Sequence, residues 1–447
     1  MIGIEKIYGP QARYEAGNGR ERLWGQRAPK KRSWHMKEIL IIGGGAAGMA
    51  AALGAAESAE PVRVTILEGL DRIGKKILAT GNGRCNLSNE HMGAEYYHTG
   101  RRDRLEELLA QMPTDAAVDF FRRQGLVCTA DEAGRLYPYC RQASMVLDVL
   151  RLALERRGVQ VVCGCKVTEA ARRRGRFAVK TAEGKRYEGD ALILTTGGKA
   201  APAQGVTGVG YTLARGFGHR CTPLYPALTP LKCSHSGLKG LKGIRVQCGA
   251  TLLCGGQRAA REEGEVQLTE YGLSGIPAMQ LSCVWGALPR GGERAVSLDF
   301  FPAWETEALE TELTRRAAQW GAESLETLFL GLIHKRVLYA VMKDAGVGPL
   351  SRPGSTLKRE EVRRLAAALK DWRLPVEGTL SWEQAQVTGG GVPLDEIDGS
   401  FASVRQPGLY LAGEILDATG TCGGYNLHWA WCSGRTAGRA AAREVTA

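Results

Sequence analysis

The chain has 447 residues, 44% apolar and 24% charged, with a formal charge of +12. That length predicts two or three domains rather than one simple core, in a composition ordinary for a soluble protein. Twelve scattered cysteines without a C-x-x-C exclude a disulfide scaffold, a zinc site and a dithiol reductase, and point to a reducing cytoplasm.

Residues 1–35 carry eight Lys or Arg against three Glu and show no apolar periodicity or secretory h-region. They are expected to form a basic, weakly ordered N-terminal extension. At residues 39–56 the chain carries no charge, but five glycines and little bulk argue against a membrane span. The segment reads instead as a strand (Ile39 to Ile42), a glycine turn and an alanine-rich helix, followed by a second strand (Val62 to Leu67) ending on Glu68. This is the dinucleotide fingerprint G-x-G-x-x-G with its acid in the required context. Gly43 allows the turn, Gly45 lets a pyrophosphate approach bare backbone, and Gly48 permits close helix–strand packing. Gly43, Gly45, Ala46, Ala47 and Gly48 bring helix N–H groups to the phosphates, and Glu68 is placed for a ribose diol.

A loop rich in Gly, Asn and cations follows at 71–89. Residues 102–124 and 144–158 have helical periodicity, with Leu105, Leu108 and Leu109 as one apolar patch. Strands are expected from Val159 to Val167 and from Arg176 to Thr181, the latter turning back at Glu183-Gly184. A buried strand from Ala191 then ends in a glycine turn, and His219 is expected to cap a helix near the cofactor. Residues 222–303 alternate short β-type runs with turns and read as a β-rich insertion, whereas 304–383 read as a helical insertion. Residues 384–447 return to the nucleotide domain begun at 36–221, through strand, Gly413-Glu414, a glycine-rich loop and a last helix.

One fingerprint fits NAD, NADP or FAD equally. The C-terminal return favours FAD, whose extended form needs a second strand–turn–helix. Glu414 can accept from ribityl or ribose hydroxyls. Gly424, Tyr425 and Asn426 open a helix whose free N–H groups can face the flavin N1–C2=O edge, where reduction places negative charge.

The strings Ile41 to Met49, Gly74 to Asn86 and Gly408 to Asn426 closely resemble the BaiN-like (YhiN-like) FAD-dependent NAD(P)H oxidoreductases, a likeness extending over about 36–447. The resemblance implies an α/β fold, a Rossmann-like FAD-binding domain split by a β-barrel-like insertion and a helical one. It also implies that Lys75, Lys76, Asn82 and Arg84 lie along the pyrophosphate or flavin face and that Val167 contacts the adenine end. The activity it implies is reduction of a conjugated C=C bond in 3-oxo-Δ4 or 3-oxo-Δ4,6 bile acid intermediates, an apolar small-molecule enone. Hydride would pass from flavin N5 to the β-carbon while an acid protonates the α-carbon. Arg84, Tyr271, Tyr425 and His428 are the candidate acids on motif loops, each with an alternative packing or cofactor role; Cys85 and Cys422 read as packing.

NAD(P)H is the expected, transient electron donor, since Gly205–Gly210 lacks the acid of a second fingerprint. No metal-ligand spacing occurs. Two other readings stay open: an FAD oxidase of a small amine or aminoketone, and a flavoprotein acting on RNA. Against the latter, the basic charge is not interleaved with aromatic residues.

Overall fold

The computed structural model describes residues 36–289 and 291–447. The expected N-terminal extension, 1–35, lies outside the described residues.

In chain order, the elements that position the site begin with β1 (Lys37–Ile42), α1 (Ala46–Ala55), β2 (Val62–Leu67), α2 (Ala143–Arg156), β3 (Gln160–Val162) and β4 (Ala191–Leu194). Next come β5 (Leu231–Cys233), β6 (Arg245–Cys254), β7 (Gln257–Thr269), β8 (Gly272–Ser274), α3 (Ile276–Ala287) and β9 (Arg294–Asp299). Three helices follow, α4 (Thr306–Gln319), α5 (Lys335–Asp344) and α6 (Arg359–Lys370), then β10 (Trp372–Thr379), β11 (Leu409–Leu411) and α7 (Tyr425–Thr446).

Five strands form a parallel sheet in the order β11-β4-β1-β2-β3. A parallel sheet is covered on both faces, so its strands need unbroken apolar runs. Ile39 to Ile42 and Ala191 to Leu194 supply them, each residue at most 3% exposed. The carboxyl ends of β1, β2, β4 and β11 all lie on one edge, where open α/β sheets bind their ligands.

Helices α1 and α7 pack backbone to backbone. A Cβ added at Gly434 would lie 2.2 Å from the Ala47 carbonyl oxygen, and one at Gly438 would lie 1.9 Å from that of Ala51. Contacts advance four residues on each helix together, so the two run parallel. At 1.5 Å per residue, α7 begins about 12 Å further out than α1. The sequence places small residues where the helices meet, and the meeting aligns two positive helix ends.

The expected β-rich and helical insertions are both present but interleaved. Strands β5-β8-β7-β6-β9-β10 close into a barrel, with β10 paired to β9 and to β5. The helical segment therefore ends at Lys370, not 383, and is looped out between the fifth and sixth strands of the barrel. Trp372 to Glu377 alternates buried and exposed residues, the period-two signature of a strand, which Pro375 masks in the sequence. Leu309, Leu313, Val337, Val341, Leu365 and Leu369 share one core with the barrel strands. The expected strand from Val159 to Val167 is likewise divided. Gly164 turns the chain in the left-handed region (φ 64°), so Gln160–Val162 joins the parallel sheet and Val167–Arg173 joins a separate antiparallel one. No described helix is long and apolar enough to cross a membrane.

Candidate functional site

The glycine turn after β1 has the geometry each position demands. Gly43 has φ 105°, and a Cβ there would sit 2.4 Å from the Thr195 carbonyl oxygen of the β4 exit loop. A Cβ at Gly48 would sit 1.9 Å from the Gly43 oxygen, so the helix and turn can approach only through glycine. Gly45 is different: a Cβ there meets nothing within 4 Å, leaving bare backbone facing open space. Helix α1 starts on Gly45 with no side-chain cap and no acid in its first turn. The first N–H groups of such a helix lack intrahelical partners and attract an anion, the work expected of Gly45, Ala46 and Ala47. Glu68, at the end of β2, accepts from the Gly44 N–H at 2.7 Å and from the Leu70 N–H at 2.9 Å. It thus ties β2 to the turn while two oxygens keep lone pairs for a further donor.

A second cluster lies at the ends of β4 and β11. Glu414 accepts from Lys76 Nζ at 2.7 Å through one oxygen and from the Thr388 N–H at 2.9 Å through the other. The Thr388 hydroxyl in turn accepts from the N–H groups of Lys199 (2.7 Å) and Ala200 (3.0 Å). Gly198 fits against Thr388 and Glu414, where its Cβ would stand 2.2 and 2.8 Å away. Gly413, at φ 79°, donates to Ser433 Oγ at 3.0 Å and accepts from Trp429 Nε1 at 3.1 Å. Its missing Cβ would lie 2.8 Å from that of Ala47, so the return loop touches the first turn of α1.

The third part is the start of α7. Gly424 caps it at φ 101°, pressed against the Ser88 carbonyl (2.3 Å from a Cβ) and Asn86 Oδ1 (2.6 Å). That Asn86 oxygen is buried and has no hydrogen-bond partner among the described residues. A buried acceptor left unpaired costs about 1–3 kcal/mol, so one at an uncapped helix end marks a place for a donor of a bound group. The open face at Gly45, two parallel helix ends offset by about 12 Å along their axes and this orphaned acceptor fit an extended dinucleotide such as FAD.

The sequence-derived residues fall into groups. Gly43, Gly45, Ala46, Ala47, Gly48, Glu68, Lys76, Gly413 and Glu414 all line this edge of the sheet or touch a residue that does, and Gly424 touches Ser88 and Asn86. Lys75 donates to the Ala203 carbonyl at 3.2 Å, while Asn82 (φ 54°) and Arg84 are exposed beyond the sharp turn at Gly81. Val167 is buried opposite Thr181. Asn426 closes the loop before α7 by accepting from the Gly420 N–H (2.9 Å) and donating to its oxygen (2.7 Å).

Of the four candidate acids, Tyr425 and His428 share the first turn of α7. Tyr425 is 4% exposed and stacks on Tyr96 at 4.6 Å. His428 is fully buried; Nε2 donates to the Met112 carbonyl and Nδ1 accepts from Ser88, both at 2.9 Å. Burial pushes its pKa down to about 4, with the Met112 bond opposing, so it is a neutral post under the helix start. Tyr271 is 40% exposed on the turn between β7 and β8, and Arg84 is exposed on its loop. Burial pushes the thiols of Cys85 and Cys422 up to about 12 and about 11, which keeps them protonated and suits packing. His219 ends its helix through a backbone bond to Ala214, but its ring bridges Glu396 (3.0 Å) and Ser403 (2.8 Å), a structural cluster with Arg220 and Arg405.

Sequence reading passed over Thr388, His98 and Asp417. Asp417 is 7% exposed and accepts from the Gly100 N–H at 3.1 Å. It stood inside a quoted motif without a role; His98 lies in a two-residue strand that no periodicity reveals. Among the described residues no group of three or more His, Cys, Asp or Glu could hold a metal ion.

Residues 37–440 match the family described as "HI0933-like protein Rossmann domain". The chain is 39% identical over 411 residues to the 3-dehydro-bile acid delta(4,6)-reductase of Clostridium scindens, covering 92% of this chain and 100% of that one. It is 30% identical over 404 residues to the ribosomal RNA dihydrouridine synthase of Escherichia coli and 27% over 409 to that of Haemophilus influenzae, covering 89% of this chain and 96% of each relative.

Proposed function

The chain belongs to the HI0933-like family and is an FAD-dependent oxidoreductase, and from that premise we propose that it reduces a C=C bond conjugated to a carbonyl, on a steroid-like 3-oxo substrate. The observation that carries this reading is the 39% identity, along its whole length, to a reductase of 3-dehydro-bile acids.

FAD, when bound, supplies the hydride for the β-carbon of the enone from its reduced ring. The chain's residues supply the rest. Gly45, Ala46 and Ala47 offer bare backbone N–H groups to the pyrophosphate, and Glu68 offers carboxylate lone pairs to the adenosine ribose. Lys76 and Glu414 neutralise each other at 2.7 Å beside the return loop, presenting a donor and an acceptor without net charge. The N-terminus of α7, capped only by Gly424, would favour negative charge on a bound flavin, and Asn86 Oδ1 would be free to accept from a donor of the cofactor. NAD(P)H is the proposed source of electrons, binding transiently because the chain carries one fingerprint.

A second reading keeps the reaction and changes the substrate. Dihydrouridine is uridine with its C5=C6 bond, conjugated to C4=O, saturated, and two relatives are named for making it in ribosomal RNA. Their lower identity, 27% and 30% against 39%, favours the small enone.

The test is an anaerobic stopped-flow experiment on purified protein. NADH or NADPH should bleach the flavin, and a 3-oxo-Δ4 steroid should restore it. Recovery with a uridine-containing RNA but no steroid would move the assignment to the second reading. Recovery only with oxygen would sink both in favour of an oxidase.

A further inference from the structure

The reaction proposed above needs a proton at the α-carbon, and of the four motif-loop residues Tyr425 and His428 are buried in packing contacts while Tyr271 and Arg84 are exposed on loops. The geometry points to Asp417 as that donor and to His98 as its link to solvent, an assignment that rests on the enone-reductase reading.

The argument starts from a short antiparallel ribbon. His98 pairs with Thr419 and Tyr97 with Gly420. Directly opposed residues share a face, and successive residues alternate between faces. The Tyr97 face is the core face, because its ring lies 5.9 Å from that of Tyr425 and 6.4 Å from that of Trp429. His98 and Thr419 therefore look the other way, and the Thr419 hydroxyl confirms it by donating to the Thr388 carbonyl at 3.1 Å. Asp417 precedes Thr419 by two residues and meets Gly100, two beyond His98, through the 3.1 Å bond to the Gly100 N–H. Asp417 thus stands across from Gly100, two residues beyond His98 in the chain.

That face is turned toward the cofactor cluster. Thr388, which it contacts, holds Glu414 through its N–H, and Glu414 holds Lys76. The ribbon then runs directly into the Thr421–Gly424 loop that opens α7. Asp417 uses one acceptor bond of the roughly four its carboxyl can make. Burial raises its pKa above the usual carboxyl range, with the Gly100 bond the opposing effect, and lowers that of His98. Tyr211 and Tyr225 are titratable neighbours of Asp417. Burial thus moves the Asp417 carboxyl toward the form that has a proton to give, and the partly exposed imidazole of His98 can pass in a replacement.

The step balances simply. The β-carbon gains a hydride from the reduced flavin, the α-carbon gains the Asp417 proton, and the C=C π pair becomes the new α C–H bond. Asp417 is left as carboxylate and recovers its proton from water by way of His98.

The experiment is a single turnover in D2O with FAD-loaded protein whose flavin has been reduced by one equivalent of dithionite before mixing with a 3-oxo-Δ4 steroid. Wild type should place deuterium at the α-carbon on one face. Asp417→Asn, which keeps an acceptor for Gly100, should retain FAD absorbance yet reoxidise on the order of 100-fold more slowly, with mixed stereochemistry at the α-carbon. Asp417→Ser, also able to accept from Gly100, serves if the first variant loses FAD and should show the same two losses. His98→Gln should keep the single turnover and slow repeated turnovers. Wild-type rate and stereochemistry in either Asp417 variant overturn the assignment alone. A wild-type flavin that no enone reoxidises overturns the enone reading and this proposal with it.

Discussion

Gly45 and Gly48 stand three residues apart in one turn and answer to different constraints. Gly48 is required by the fold, since its Cβ would sit 1.9 Å from the Gly43 oxygen, whereas at Gly45 a Cβ meets nothing. Gly48→Ala should therefore destabilise the FAD-free protein by about 1–3 kcal/mol, the usual cost of overpacking, seen as a lower urea midpoint. Gly45→Ala should leave that midpoint unchanged and weaken FAD binding at least about tenfold by filling the open face, measured by flavin fluorescence titration. His428 makes a pH prediction. Its folded pKa, about 4, lies below the unfolded value of 6.5, so its contribution is complete above pH 6.5 and is lost as pH falls toward 4. The loss is on the order of 3 kcal/mol; urea midpoints should fall more steeply between pH 7 and pH 4 in wild type than in His428→Asn. The glycine roles were legible in the sequence because backbone approach leaves a residue-type signature. The fate of His428 was not, because a histidine beside a motif looks the same whether it faces the substrate or the core.

At the scale of elements, the parallel packing of α1 and α7 sets the spacing of the two helix ends. Gly434 and Gly438 permit it, their absent Cβ atoms lying 2.2 and 1.9 Å from α1 carbonyls. Gly438→Val should force the helices apart, lowering thermal stability and also weakening FAD binding, although residue 438 is remote from the glycine turn. An unchanged FAD affinity in a variant with lowered Tm would show that the spacing is not critical. The strand–turn–helix at each end of the chain was legible from periodicity and glycine position. Their mutual register was not, since nothing in either segment alone says which glycine meets which alanine. The barrel strand β10 was missed for a related reason. Pro375 argues against a strand when read locally, yet it is accommodated opposite Ala295 in the closed barrel.

The whole molecule has two large cores, one around the parallel sheet with Trp429 and Trp431, the other shared by the barrel and the helical segment with Trp372. Ala47 and Tyr425, two residues proposed to lie against FAD, belong to the first. Calorimetry should resolve two transitions, and FAD at 100 times its Kd should raise only one, by about 2.7 kcal/mol. A single transition shifted as a unit would mean the cores unfold together. The order of strands in the parallel sheet has a consequence for how the protein is made. Strand β11 and helix α7, drawn from the last forty residues, complete a sheet and a helix pair begun at residue 37. Until residues 409–446 have been made, the edge of β4 stands unpaired and α1 lacks its partner. The nascent nucleotide domain must therefore be held open, or chaperoned, through the synthesis of an entire barrel. Cofactor capture then becomes a test that these residues have been made, and a product cut short before residue 409 would be yellowless and exposed to proteolysis.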